Sequence, residues 1–194
     1  MLNKLKRTRG LSVKELAAQV GMSYMGVKHH CLELQKAGYL DTGRRPKPQG
    51  RPEMIYRLTQ RAYELFPVSC NALTLDLLEA SKKLYGPAAA EKLLFIVFKE
   101  RTERYESRLK GDTTLERARE LVRLRDHDGS MAELETENGL RIVEYHSPIL
   151  DLLRAFPFIE RLEIELFERL LRVPVRREEN MVSGLYCSVF HLEL

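Results

Sequence analysis

Five side chains in one short segment have the types and spacing to read the edge of a base pair. A helix is expected from Ser23 onward, with Val27, Cys31 and Leu34, four and seven residues apart, turned inward. Tyr24, Met25, Lys28, His29 and Leu32 are then left on its outer side. In the major groove of B-DNA, Lys and His can donate to guanine O6 and N7, and apolar groups can touch thymine methyls. Lys28 and His29 are the expected base readers, and Tyr24 is equally suited to a phosphate. Ser23 and the free N–H groups of the helix start also suit a phosphate. His30 lies nearer the core edge, with a structural role and a DNA contact both open, and Cys31 reads as a small core residue.

A second cationic set follows between Gly43 and Glu53, where Arg44, Arg45, Lys47 and Arg51 stand among three prolines and two glycines. Those prolines and glycines forbid helix and pre-set extended or turn geometry. Arg44, Arg45 and Lys47 are expected on phosphates, which carry no sequence information. Gly50-Arg51-Pro52 has the form of a hook whose extended Arg enters a narrow A·T minor groove, and a phosphate clamp is the alternative.

The elements that must position these groups are legible nearby. Ser12 is a good N-cap and Glu15, three residues on, completes a capping box. Val13, Leu16, Ala17 and Val20 make one apolar helix face, and Gly21 supplies the left-handed turn that ends it. Strands are expected at Tyr39–Thr42 and Met54–Leu58, with the basic loop between them, and a short helix capped by Thr59 at Gln60–Leu65. From Leu11 to Thr59 this is the pattern of a helix-turn-helix followed by a basic wing. The bland alternative is a solvated loop beside a generic three-helix core. Met1–Arg9 would supply the first helix of the core and is short for that task.

The run Ala17…Val20-Gly21-Met22-Ser23…Val27-Lys28…His30…Leu34…Gly38-Tyr39-Leu40, then Gly50-Arg51-Pro52…Tyr56…Leu58-Thr59 and Leu65-Phe66-Pro67, resembles bacterial winged-helix repressors of the ArsR/DeoR-like superfamily. Within it, the branch with SufR-type iron–sulfur-responsive regulators is the more similar. The resemblance implies a transcription regulator, a repressor that binds double-stranded operator DNA as a homodimer in response to an effector.

Charge is divided along the chain. Residues 1–70 hold 13 Lys+Arg against 5 Asp+Glu, a balance of +8, whereas the whole chain stands at +4. A basic first third on a slightly acidic remainder suits a polyanion-binding head on a regulatory body. No apolar run is long enough to span a bilayer, and three scattered cysteines (Cys31, Cys70, Cys187) form neither a disulfide framework nor a zinc spacing. The expected setting is the cytoplasm, with no membrane partner.

The expected fold is mainly α with α+β, in three parts. Residues 1–67 form the winged helix-turn-helix, 72–126 a helical dimerisation segment, and 131–194 a small α+β sensor domain. Pro67–Asn71 reads as the junction. Leu73, Leu77, Ala80 and Leu84 form one apolar stripe, and Leu93, Leu94, Val97 and Phe98 mark the longer helix after Gly86-Pro87. Such stripes suggest a dimer interface, with packing inside the body as the alternative. Thr114 opens a third helix. Asn138-Gly139 marks a hairpin, Pro148 opens a helix, and a terminal strand is expected at Leu185–Leu192. In the 158–171 helix Ile159, Leu162, Leu166, Phe167 and Leu170 should face inward, and Glu160, Glu163, Glu165 and Glu168 largely outward.

The C-terminal part resembles the SufR-like region in Glu144-Tyr145-His146-Ser147-Pro148, in Pro157…Leu162-Glu163…Leu166-Phe167 and in Gly184-Leu185-Tyr186-Cys187. The resemblance implies cluster-ligating cysteines where this chain has Ser147 and Glu160, so Cys187 is the one matching ligand. One thiolate with scattered imidazoles (His146, His191) is a poor iron–sulfur site, and no cofactor or metal is expected. No Gly-rich phosphate loop, nucleophile elbow or metal-spaced His/Cys set is present, so no catalysis is expected. The competing reading from another class is a winged-helix protein-interaction module whose basic wing binds an acidic partner.

Overall fold

Ser12 and Glu15 do what their spacing predicts. The Ser12 N–H donates to the Glu15 carboxylate at 2.8 Å, and the Glu15 N–H points back at the Ser12 hydroxyl at 3.4 Å. This box opens α2 (Val13–Val20), which follows the short α1 (Leu2–Lys6) and ends at Gly21 with φ 68°. Ser23 then starts α3 (Tyr24–Lys36), its hydroxyl accepting from the Gly26 N–H at 3.1 Å. The computed structural model describes residues 1–48, 50–66, 72–137, 139–182 and 185–194. The expected junction at Pro67–Asn71, Asn138 of the hairpin turn and Gly184 lie outside the described residues.

Strands β1 (Leu40–Arg45) and β2 (Glu53–Leu58) pair antiparallel from Leu40↔Leu58 to Arg45↔Glu53. The first strand is longer than its apolar pattern suggests, so Gly43, Arg44 and Arg45 belong to the ladder and not to the loop. Leu11 adds a third edge through paired backbone bonds with Tyr56 of 2.9 and 2.8 Å. Gly10 makes that approach possible: at φ 125°, a Cβ there would meet the Tyr56 carbonyl at 3.0 Å. Gln60–Leu65 is a 3-10 helix, and Thr59 does not cap it. Its hydroxyl donates instead to the Gly38 carbonyl at 2.7 Å, a tertiary partner that local spacing cannot reveal.

Two compact units divide the chain: Met1–Phe66 with Asn180–Cys187, and Pro67–Glu179 with Ser188–Leu194. The second unit is α+β. Helices α4 (Ala72–Tyr85), α5 (Ala89–Arg108) and α6 (Thr114–His127) precede β3 (Ala132–Glu135) and β4 (Arg141–Glu144). Then come α7 (Leu150–Ala155), α8 (Ile159–Leu171) and two strands that belong to this unit only in part, β5 (Val175–Val182) as far as Glu179 and β6 (Leu185–Leu192) from Ser188, with the sheet in the order β3-β4-β6-β5. Helix α6 opens on its own capping box, Thr113 with Glu116. Strand β5 has no apolar alternation, being Val-Arg-Arg-Glu-Glu-Asn-Met-Val, which suits a charged edge that resists pairing with other chains.

The core of this unit joins Leu94 and Phe98 of α5, Leu121 of α6, Ile142 of β4, Ile159, Leu166 and Phe167 of α8, and Phe190 of β6. Phe167 and Phe190 stack at 3.9 Å between ring centroids. Glu163 departs from the expected outward set, being 3% exposed among guanidinium groups. The α4 stripe lies on the surface: Leu73, Leu77 and Leu84 are 64%, 63% and 74% exposed.

Candidate nucleic-acid interface

The turn at Gly21 and the cap at Ser23 aim α3 so that one side packs and the other faces out. Val27 and Cys31 are fully buried, and Tyr24, Met25, Lys28, His29 and Leu32 are all exposed. His30 is exposed too, so it is not held at the core edge. Ser23 uses its oxygen on Gly26 but, as a hydroxyl, keeps a proton to donate outward.

Across the wing the four cations are not equivalent. Arg45 Nη2 lies 2.7 Å from Glu15 Oε1 and 2.8 Å from Glu53 Oε2, tying the wing to the capping box of α2. Lys47 Nζ lies 3.5 Å from the other oxygen of Glu53. The Glu53 carboxylate, paired with Arg45 and Lys47, is held below its ordinary range, and both carboxylates raise Arg45. Burial pushes Glu15 up, yet the Ser12 N–H and the Arg45 guanidinium together bring it below the usual range. Arg44 and Arg51 are exposed, and among the described residues neither has a carboxylate partner. Arg45 therefore holds the wing in place, whereas Arg44 and Arg51 offer uncompensated charge to a polyanion.

Residues 1–41 match the family model of winged helix-turn-helix DNA-binding domains. The match runs through α1, α2 and α3 into the first strand of the wing. No curated protein and no solved structure matches the chain. The winged helix-turn-helix thus rests on the family model and on the geometry of the head.

Lys6 was invisible as anything but a member of the basic N-terminal third. In the winged helix-turn-helix it is 2% exposed, with Nζ 4.2 Å from the Tyr63 ring centroid and 4.5 Å from that of Phe66. Among the described residues Nζ has no hydrogen-bond partner. Burial pulls its pKa down to about 8, with the Cys187 thiol acting in the opposite sense. Lys6 is thus a structural residue and not part of the DNA-facing charge.

The C-terminal unit buries a second charge cluster that sequence reading missed. Arg125 forks onto Glu144 at 2.5 and 2.7 Å and reaches Glu163 at 3.2 Å. Burial would lower the Arg125 pKa and raise that of Glu144, and each partner opposes the other's shift, so Arg125 ends above its ordinary value. Arg177 adds ion pairs to Glu163 at 3.7 Å and Glu160 at 3.4 Å. Glu160 therefore faces a guanidinium, and Ser147 is a buried hydroxyl. No helix among the described residues is long and apolar enough to cross a membrane.

Proposed function

We propose that this protein is a sequence-specific transcriptional regulator, a repressor, that binds operator DNA as a homodimer in the cytoplasm. The observation that carries the reading is the outward row Tyr24, Met25, Lys28 and His29 on α3 of a winged helix-turn-helix, beside the unpaired wing cations Arg44 and Arg51. Helix α3 enters the major groove, where Lys28 and His29 read bases, while Ser23, Tyr24, Arg44 and Lys47 meet the backbone. Arg51 reaches towards the minor groove. The resemblance to the ArsR/DeoR-like superfamily and its SufR-like branch supports a regulatory role. The Arg177–Glu160 pair and the Ser147 hydroxyl, at positions where the resemblance implies thiolates, support an effector other than an iron–sulfur cluster.

The second copy is assigned to α4. Leu73, Leu77, Ala80 and Leu84 are spaced four, three and four apart, the seam of a coiled coil, and all four are exposed in the single chain. On α5, Leu93, Ile96 and Val97 are also about half exposed. A self-complementary seam matches the two-fold symmetry of near-palindromic operators.

Genomic DNA fragments retained by the full-length protein test the reading. Enrichment of a near-palindromic site, with affinity that falls steeply with salt, is expected. Retention of all duplexes alike would reduce it to a non-specific DNA binder, and capture of no DNA with binding to an acidic protein through the wing would replace it with the interaction-module reading.

A further inference from the structure

The head is not the only cationic surface. On α5, Arg101, Arg104 and Arg108 follow at i, i+3 and i+7 and share one side of the helix. With Val97, Tyr105 and Asp128 they line a concavity of about 550 Å³ within the C-terminal unit. Asp128 is the carboxylate among the described lining residues, and it is already engaged. It accepts the Tyr105 hydroxyl at 2.5 Å, lies 3.3 Å from His127 Nδ1 and 3.9 Å from Arg101. Arg101 is further tied to the Tyr105 hydroxyl at 3.3 Å. Arg104 and Arg108 differ: both are exposed, and among the described residues neither has an ion-pair partner. The nearby Glu106 is taken by Arg169 at 2.6 Å. Three guanidinium groups thus face a hollow whose one carboxylate is already compensated.

We propose that this concavity binds a small, multiply charged oxyanion, a phosphoryl or polycarboxylate group, and that this ligand is an effector of DNA binding. Arg104 and Arg108 stand one helical turn apart, and planar guanidinium forks bind such oxygens bidentately where a lysine would offer a point charge. Arg101, braced by Tyr105 and Asp128, closes the inner side. The hollow has room for more than an inorganic anion, and Val97 belongs both to its wall and to the apolar surface assigned to the second copy. An anion here relieves cationic repulsion beside that surface, which gives it a differential effect on two arrangements of the dimer. The effector role rests on the regulatory reading; binding of the anion does not.

The test is calorimetric titration of the full-length protein with pyrophosphate and, separately, citrate at fixed ionic strength. Saturable binding to one site per chain is expected, and the stronger of the two ligands distinguishes a phosphoryl from a carboxylate class. The exposed double variant R104A/R108A should weaken binding at least tenfold. R119A/R123A on α6, which removes the same charge, should leave it unchanged. Absence of saturable binding in the wild type, or equal weakening in both double variants, overturns the site. So does a loss of duplex binding in R104A/R108A without any small-anion binding, which makes the face a DNA-backbone contact. With operator in hand, saturating anion should shift its affinity at least fivefold in the wild type and not in R104A/R108A. Failure to bind any duplex overturns the regulatory reading while the titration still decides the site.

Discussion

Helices α4 and α8 carry the same kind of apolar stripe and have opposite fates. In α8, Ile159, Leu162, Leu166 and Leu170 are at most 8% exposed, packed against α5, α6 and the sheet. In α4, Leu73, Leu77 and Leu84 are each more than 60% exposed. Periodicity tells which side of a helix is apolar; it does not tell what covers that side. A stripe that stays uncovered in its own chain is the one to assign to a partner, because contiguous exposed apolar surface is unusual on a monomer.

The largest effect should come from breaking the covered stripe. Phe167→Ala removes a ring stacked on Phe190 and should cost about 3–5 kcal/mol in urea unfolding. Leu77→Ala, at the exposed stripe, should cost well under 1 kcal/mol at protein concentrations low enough for monomer, within the range usual for surface substitutions. Equal losses at the two positions would mean that the Leu77 side of α4, and not only its Leu78 side, is covered within its own chain. The converse effect is next in size. Leu77→Asp with Leu84→Asp should leave the monomer folded, abolish the dimer in sedimentation velocity, and weaken a palindromic site roughly a hundredfold through lost bivalency. A wild-type protein that sediments as a monomer at micromolar concentration would sink the α4 assignment.

The comparison extends to charge: Lys28, His29, Arg44 and Arg51 of the head are exposed, whereas Arg125, Glu144 and Glu163 of the C-terminal unit are buried. Lys28→Ala or His29→Ala should cost about 1–3 kcal/mol on the cognate site and little on random DNA. Arg44→Ala should weaken all duplexes alike and lower the salt slope by about one. Arg51→Ala separates hook from clamp: selective loss of a preference for flanking A·T steps favours the hook, and a result matching Arg44→Ala excludes it. Arg45→Ala should differ from all of these by lowering the melting temperature, since it removes the one guanidinium that Glu15 and Glu53 share.

A modest effect concerns Lys6. Its pKa of about 8 in the folded protein lies below the ordinary 10.5, so between those values the unfolded chain binds more protons than the native one. Stability should therefore rise as pH climbs through that window and be flat in this respect on either side. Lys6→Met should raise stability at neutral pH by about 1 kcal/mol, because an ammonium without a hydrogen-bond partner no longer has to be buried. It should also remove the rise. A Lys6→Met variant that keeps the same pH slope would assign that slope to another group.

What the sequence determined by itself is local. Ser12 with Glu15, Gly21, the cap at Ser23 and the inward set Val27 and Cys31 involve partners within a few residues, so α2, the turn, α3 and its outer row follow from spacing. The wing hairpin follows likewise from its prolines, its glycines and the apolar alternation beside them. The tertiary structure decided everything whose partner is distant in the chain. Arg45 is bound by Glu15, 30 residues away, Thr59 by Gly38, and Glu163 by Arg125, 38 residues away. Lys6 is enclosed by Tyr63 and Phe66, and the α4 stripe is left bare because no described element of its own unit folds over it. Burial and ion pairing depend on which surfaces meet in space, and a side chain's type and its sequence neighbours do not contain that information.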